Sequence, residues 1–375
     1  MRQGLSISRE PHQEKALRYH NIRYFVLFFN CLEFLFFLFL WYAWGLSHRL
    51  DTLASGFSYN ISALQTVITV VGFHICLYLV QIPQLFYVSF ALERQFGLSD
   101  ESFRQWLLDE FKSNLIGLFF LVILVVIFYE VFRLQPDHWW LTVALIWIGF
   151  TLLLTRILPT WIIPLFYPMK HLSDGQLKKR LMNLAKRMNV DHQDIYEIAL
   201  SRKTRKANAA VLGLGKGRRI VLGDTLLNKF SADEIEVVLS HELAHHVKHH
   251  IPKSIFFNGF LAVLSFYLLY ITAGILSSIF ETFTIGDILW YPTVVLFMGV
   301  FNMFLLPWRN AFSRYLEAEA DREALVQTGS SVAFVSAMKK LAFQNLAVVS
   351  PSRWIEFIFY SHPSISRRIR YAQGF

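Results

Sequence analysis

Charge is scarce in this chain: Asp, Glu, Lys and Arg make up 17% of its 375 residues, against about 25% in a typical soluble domain. So few charges cannot cover a soluble surface of this size, which excludes an ordinary soluble protein. Cysteine is scarcer still. Cys31 and Cys76 are the only two, and both lie in or beside apolar runs, so neither a disulfide framework nor a thiolate metal site is expected and both read as buried packing residues. A phosphate loop is missing as well: the Gly-rich stretch 213–217 lacks Walker spacing and a Lys-Ser/Thr ending and reads as a hairpin turn. No serine or cysteine nucleophile signature is evident. The first three and last three apolar runs show no repeat of the kind many transporters carry.

What the chain has instead is apolar bulk. It is 54% hydrophobic with 36 phenylalanines, and its mean hydropathy is +0.40. Runs long enough to cross a bilayer, about 20 residues each, fall near 24–45, 66–90, 115–131, 139–166, 255–279 and 290–308. Six spans make this a polytopic membrane protein. The first run is too long for a cleavable signal and has no small-residue cleavage site after it. Basic residues set the orientation: Arg2, Arg9, Lys15, Arg18 and Arg23 precede span one, many more lie between spans four and five, and Arg367, Arg368 and Arg370 close the chain. Both termini and the central insertion therefore face the cytosol. The net charge of +9 is concentrated on that face, where anionic headgroups attract it; the partner it implies is the lipid bilayer and no nucleic acid. Asn60-Ile61-Ser62 is a glycosylation sequon, but it abuts span two and carries little weight.

The expected fold class is mainly α: a six-helix membrane bundle with a small cytosolic α+β catalytic domain assembled from two segments. Residues 1–23 form a tail, 24–168 spans one to four, 169–252 the first catalytic segment, 253–309 spans five and six, and 310–375 the second catalytic segment. In the first segment, 174–188 has leucines at helical spacing between basic residues, and 195–200 and 219–221 read as short strands. A helix begins at Ser231, where Ser at the cap and Glu234 three residues on make a capping box, and Pro252 is expected to mark its boundary with span five.

That helix carries His241-Glu242-Leu243-Ala244-His245. Two imidazoles four residues apart share one helix face and can grip one Zn²⁺, with a carboxylate beside it to act as general base. His245/His249 and His246/His250 share the spacing, but neither first member is followed by an acid. Catalytic zinc usually takes a third protein ligand. After span six, Ser313-Arg314-Tyr315-Leu316-Glu317-Ala318-Glu319-Ala320-Asp321 sets Glu317 and Asp321 on one helical face. Glu317 as ligand, with Asp321 orienting a histidine ring, is one reading; a solvated acidic helix paired with Arg314 and Arg322 is the other.

These motifs resemble the type I CAAX prenyl proteases, integral-membrane zinc peptidases of gluzincin type, and more distantly the HtpX-type bacterial membrane proteases. The resemblance rests on the His241–His245 motif, Ser313-Arg314-x-x-Glu317-x-x-Ala320-Asp321, Asn208-Ala209 before a glycine turn, Ser361-His362-Pro363 followed by Arg368-Ile369, and the segment 90–98. It implies that His241, His245 and Glu317 bind one Zn²⁺ per chain, that Glu242 is general base and then proton donor to the leaving amine, and that His362 hydrogen-bonds the oxyanion. It also implies that Arg368 lies near the substrate backbone or carboxylate and that Asn208 and Ala209 belong to an edge strand pairing with an extended substrate. Eukaryotic members carry a seventh span, so six spans fit a prokaryotic-like member, placed in a bacterial cell membrane in preference to the endoplasmic reticulum.

The expected activity is zinc-dependent endoproteolysis of a polypeptide substrate, prenylated or otherwise membrane-associated. A quality-control protease without prenyl specificity is slightly preferred over strict CAAX processing, and a non-catalytic zinc-binding scaffold or transporter is the reading from outside enzymology.

Overall fold

The computed structural model describes residues 10–59, 61–190, 194–213, 218–280 and 282–375. Arg2, Arg9, Asn60 of the sequon and residues 214–217 of the glycine-rich stretch lie outside the described residues. The first half is helical: α1 (Glu10–Ala43), the short α2 (Leu46–Ser58), α3 (Ser62–Phe86) continuing into α4 (Leu92–Gln95), α5 (Phe103–Leu134), and α6 (Trp139–Ile157) continuing into α7 (Ile163–Phe166). Wider π-helical turns at Tyr87–Ala91 and Leu158–Ile162 make the two continuations. Pro83 and Pro159 lie just before and inside them, where a missing N–H breaks the regular ladder.

Six helical stretches are long and apolar enough to cross a bilayer: Pro11–Ala43, Ser62–Gln95, Phe103–Leu134, Trp139–Phe166, His250–Ile279 and Ile288–Thr328. Five contain one of the apolar runs whole, and the first run overshoots its helix by two residues, Trp44 and Gly45. Their inner faces pack Phe73, Tyr129, Trp139, Phe266 and Leu269 into one cluster, while Phe25, Phe36, Phe39 and Phe111 stay exposed, as a lipid-solvated surface requires. Cys31 and Cys76 are also exposed, which corrects the expectation of buried packing residues. Each sits on an outward face beside exposed Leu32 or Ile75, where lipid can solvate a weakly polar thiol as well as a core would. Glu130 pairs with Arg133 of its own helix at 2.5 Å.

A four-stranded sheet follows. β1 (Met169–His171), α8 (Gln176–Arg187), β2 (Ile195–Ile198), β3 (Ala209–Leu212) and β4 (Arg219–Gly223) come in chain order, then a single turn, α9 (Asp224–Leu227). The strand order is β1-β2-β4-β3, with β2 and β4 parallel and both outer pairs antiparallel. β3 is therefore an edge. Gly223 permits its close approach, since a Cβ there would meet the Asn208 carbonyl at 2.9 Å.

Helix α10 (Ala232–Val247) opens with the capping box: Glu234 N–H donates to Ser231 Oγ at 3.3 Å and Ser231 N–H to Glu234 Oε2 at 2.7 Å. Leu239, Leu243 and Ala244 of α10 pack with Leu181 and Leu184 of α8, Ile220 and Leu222 of β4, and Ala320 and Ala324 of the acidic helix, so α10 is enclosed on nearly every side. It ends earlier than Pro252. His249 takes a left-handed conformation (φ 55°), and α11 (His250–Ile279) begins immediately after it. Pro252 sits in the first turn of α11, where no N–H is needed. After α11, α12 (Tyr291–Thr328) runs unbroken through Pro307 from the sixth apolar run to the acidic motif, so the expected division at 309/310 falls in mid-helix. α13 (Ser331–Gln344), α14 (Arg353–Phe359) and α15 (Ile365–Gln373) complete the chain.

Candidate active site

Helices α10 and α12 pack face to face and bring His241, His245 and Glu317 together. His241 Nε2 lies 3.3 Å from His245 Nε2 and 3.0 Å from Glu317 Oε2, and His245 Nε2 is 3.5 Å from Glu317 Oε1. Atoms bonded at 2.0–2.1 Å to one tetrahedral zinc stand about 3.3 Å apart, so the spacing fits a shared metal ion. Glu317 Oε2 is buried without a hydrogen bond among the described residues, a cost that a cation removes. The solvated acidic helix is excluded here: Glu317 and Asp321 are both buried.

Each ligand has a support. Asp321 Oδ1 lies 2.9 Å from His241 Nδ1, in contact though off the line of an ideal hydrogen bond. Arg368 clamps the same carboxylate with Nε at 2.8 Å and a second guanidinium nitrogen at 2.5 Å. The guanidinium thus sits on Asp321, although the residue also lines the cavity beside His241. Behind His245 stands a partner that the spacing argument passed over. His250, 2% exposed, places Nδ1 2.8 Å from His245 Nδ1 and Nε2 3.1 Å from Glu319 Oε2, which also accepts from Lys253 at 3.1 Å. If His245 offers Nε2 to a metal, its proton is on Nδ1 and faces His250, whose own proton then faces Glu319. The left-handed His249 aims the ring. The available signal was the run of histidines itself, discounted because no acid follows His246.

Arg314 and Asn310, one and two turns before Glu317, hold the segment bearing His362. Arg314 donates to the carbonyls of Glu356, Phe357 and Tyr360 at 2.9, 3.3 and 2.5 Å, and Asn310 to that of Ile358 at 2.6 Å. The carbonyls of Phe357 and Ile358 are among those left over at the end of α14, while that of Glu356 also accepts from Tyr360 N–H at 3.3 Å. His362 Nε2 comes to 3.3 Å from Glu317 Oε1 and Nδ1 to 2.9 Å from Ser361 Oγ. Asn208 and Ala209 line the same cavity. Asn208 O accepts from Gly223 N–H and its Oδ1 from Ala209 N–H, while His246 Nε2 meets Val211 O at 3.2 Å.

Burial pushes Glu242 up to about 7, with the His241 charge partly offsetting it. Burial also takes His245 down to about 3, helped by the charge on His241. At His241 burial opposes the charge, but the Asp321 and Glu317 carboxylates in contact with the ring outweigh it and raise the ring to about 9. His362 is lowered, chiefly by burial. A carboxylate near 7 is suited to accepting and returning a proton at neutral pH. Two cavities meet at Glu242. One of about 1000 Å³ holds His241, His362 and Arg368 with the start of β3; the other, about 950 Å³, holds His245 and Glu317 and runs among apolar residues of α5, α6, α11 and α12.

The geometry has counterparts. The family model for peptidase family M48 matches residues 171–375. The chain belongs to that family. The model for the CAAX prenyl protease N-terminal region, described as five membrane helices, matches residues 6–168, which here hold four long apolar stretches and the shorter α2. An uncharacterized metalloprotease, YhfN, of Bacillus subtilis is 30% identical over 365 residues, 96% of this chain and 84% of that protein. CAAX prenyl protease 1 of Saccharomyces cerevisiae is 30% identical over 312 residues, 78% of this chain and 68% of the yeast protein. The crystal structure of Ste24p from S. mikatae superposes with a TM-score of 0.86 at 23% identity, over 98% of this chain and 90% of that one, and so shares the fold. The protein is a multi-pass membrane metalloendopeptidase of family M48, and its metal has a matching set of donors in His241, His245 and Glu317.

Proposed function

We infer that the protein is a zinc endopeptidase that cleaves membrane-associated polypeptides at the cytosolic face of a membrane, a bacterial cell membrane in preference to the endoplasmic reticulum. The observation that carries this is the convergence of His241 Nε2, His245 Nε2 and the Glu317 carboxylate beside a half-buried Glu242, where a cavity lined by the start of β3 and a second, more apolar one among the membrane helices meet. Two imidazoles and a carboxylate suit zinc. Zinc, when bound, supplies Lewis-acid polarisation of the scissile carbonyl and lowers the pKa of the attacking water. Glu242 accepts that water's proton and returns it to the leaving amine. His362 donates a hydrogen bond to the oxygen on which negative charge develops. Asp321 and Arg368 hold His241, and His250 with Glu319 holds His245.

Strand β3 supplies the substrate's backbone partner. Asn208 O is bonded to Gly223, so by antiparallel alternation residues 208, 210 and 212 face β4, while Ala209 and Val211 face outward. His246 meets Val211 O, leaving the Ala209 carbonyl and the Val211 N–H for an extended peptide. The proposed orientation rests on basic residues flanking the first and last spans and filling the insertion after the fourth. The division proposed is a membrane part, 24–168 and 253–309, and a catalytic part drawn from 169–252 and 310–375.

A second reading, removal of a C-terminal tripeptide from a prenylated protein, is favoured by the apolar cavity of about 950 Å³ at the metal ligands and by what the yeast relative is called. Purified protein, with and without a zinc chelator, is to be given matched prenylated and unprenylated peptides and an unfolded membrane protein. Chelator-sensitive cleavage of all three is the expected result. Strict dependence on the prenyl group would select the second reading, and inactivity toward every substrate would refute both.

A further inference from the structure

Three membrane helices turn polar side chains onto one wall of the cavity that His241 and Glu242 close. Asn30 of α1, Gln81 and Gln84 of α3, and Glu110 and Asn114 of α5 all line it, while their neighbours Phe29, Ile82 and Phe111 are exposed on the outer faces. Polar groups inside membrane helices are costly and mark functional sites; Asn30, Gln81 and Gln84 bear that cost within the first two apolar runs, and the polar start of α5, just before the third run, adds Glu110 and Asn114 to the same wall. All five side chains offer acceptor oxygens, and the four amides carry N–H donors as well. Asn30 Oδ1 and Gln84 Oε1 are buried without a hydrogen-bond partner among the described residues. Glu110 accepts from Asn114 Nδ2 at 2.6 Å, and among the described residues no Lys, Arg or His comes within 4.0 Å of its carboxylate.

The cations of this cavity are already engaged. Arg368 is clamped by Asp321, and Arg23 donates to Tyr19 Oη at 2.7 Å and lies 3.7 Å from Glu93. What remains on the wall is one uncompensated carboxylate with free amide oxygens. That combination attracts a cation with several N–H donors and repels an anion. A cavity of about 1000 Å³ is roughly 10 Å across, which about three residues of extended peptide span at ~3.3 Å each.

We propose that this wall is a substrate subsite for a lysine or arginine side chain within about three residues of the scissile bond, with Glu110 as the charge that sets the preference. This rests on the peptidase reading above. The test uses full-length, metal-loaded protein and a set of quenched fluorescent peptides in which Lys, Arg, Gln or Glu occupies each position near the cleaved bond. At one position Lys or Arg should raise kcat/KM roughly tenfold or more over Gln, with Glu the poorest. In Glu110→Gln the ratio of Lys to Gln peptides should collapse towards one, a comparison internal to the variant. If Glu110→Gln fails to fold, Gln81→Lys on the same wall should lower cleavage of Lys peptides relative to Glu peptides. A flat scan in an enzyme that cleaves the Gln peptides, or a basic preference that persists unchanged in both variants, would overturn the subsite alone. Absence of any chelator-sensitive cleavage would overturn the peptidase reading, and the subsite with it.

Discussion

Replacing His250 by leucine should weaken metal binding without removing a ligand. In the wild type His245 Nδ1 faces His250 Nδ1 at 2.8 Å and His250 Nε2 faces Glu319 at 3.1 Å, so the relay fixes both the tautomer and the tilt of a ring whose Nε2 points at the metal position. Leucine occupies similar space in this 2%-exposed position but accepts no hydrogen bond. Losing such an outer partner typically costs 10–100-fold in metal affinity, or about 1.4–2.7 kcal/mol, and a buried N–H left unpaired costs about 1–3 kcal/mol; the two routes to the magnitude agree. Glu319→Gln should do less, under about tenfold, because an amide oxygen still accepts from His250. Glu323→Gln is the control: Glu323, on α12 like Glu319, pairs with Lys248 at the end of α10 at 2.9 Å and supports no ligand. Competition with a chromophoric chelator on the full-length protein measures all three affinities. Wild-type affinity in His250→Leu, or an equal loss in Glu323→Gln, would refute the relay.

Glu242→Gln should retain metal yet lose roughly 10²–10⁴-fold in kcat, read by turnover and bound-metal content on the same sample. Arg368→Lys keeps the charge but gives up the two-pronged grip on Asp321; it should lower the melting temperature and kcat more than it alters KM, whereas a change in KM alone would place Arg368 on the substrate. For chelated protein, His241 at about 9 stands above its unfolded value of about 6.5, so its contribution to stability is fully present below about pH 6.5 and is lost as pH rises through 9. His245 at about 3 has the opposite sign, with a contribution present above about 6.5 and lost as pH falls towards 3. Glu242, raised from 4.5 to about 7, has the same sign as His241 and offsets the His245 loss between those two values. The melting temperature of chelated protein should therefore fall as pH rises from about 6.5 to 9, and one flat over that range would contradict the His241 and Glu242 assignments.

The parts of the molecule that follow from periodicity or from a local hydrogen-bonding rule were legible in the sequence. Six apolar runs became six long helices, Ser231 and Glu234 closed their capping box, and two histidines four apart came to share a face. Glu317 was reachable because a third ligand had to exist and because two acids at helical spacing follow the last run. Less visible was whatever depends on packing between distant segments. Arg368 has nothing local to say that its partner is Asp321, 47 residues earlier, and the outward faces of Cys31 and Cys76 depend on which side of each helix finds protein. Pro252 misled because proline reads as a stop signal, although it is equally at home in a first turn. Strand β1 is three residues long, too short for alternation to register.

The helix boundaries carry a consequence for how the site is built. Helix α12 begins among apolar membrane residues, passes Pro307 without breaking, pins the His362 segment through Asn310 and Arg314, and supplies Glu317 and Asp321 from its last turns. Helix α11 begins with His250, so the support of the second ligand is the first residue of a membrane helix. Both connections are short, since α12 has no break and only two residues, Lys248 and the left-handed His249, separate α10 from α11. A shift or tilt of α11 relative to α12 must therefore move His250 relative to Glu319, and with it the ring of His245. Membrane helices α11 and α12 thus carry His250, Glu317 and Asp321 directly, so whatever fills the cavities among these helices bears on the metal ligands.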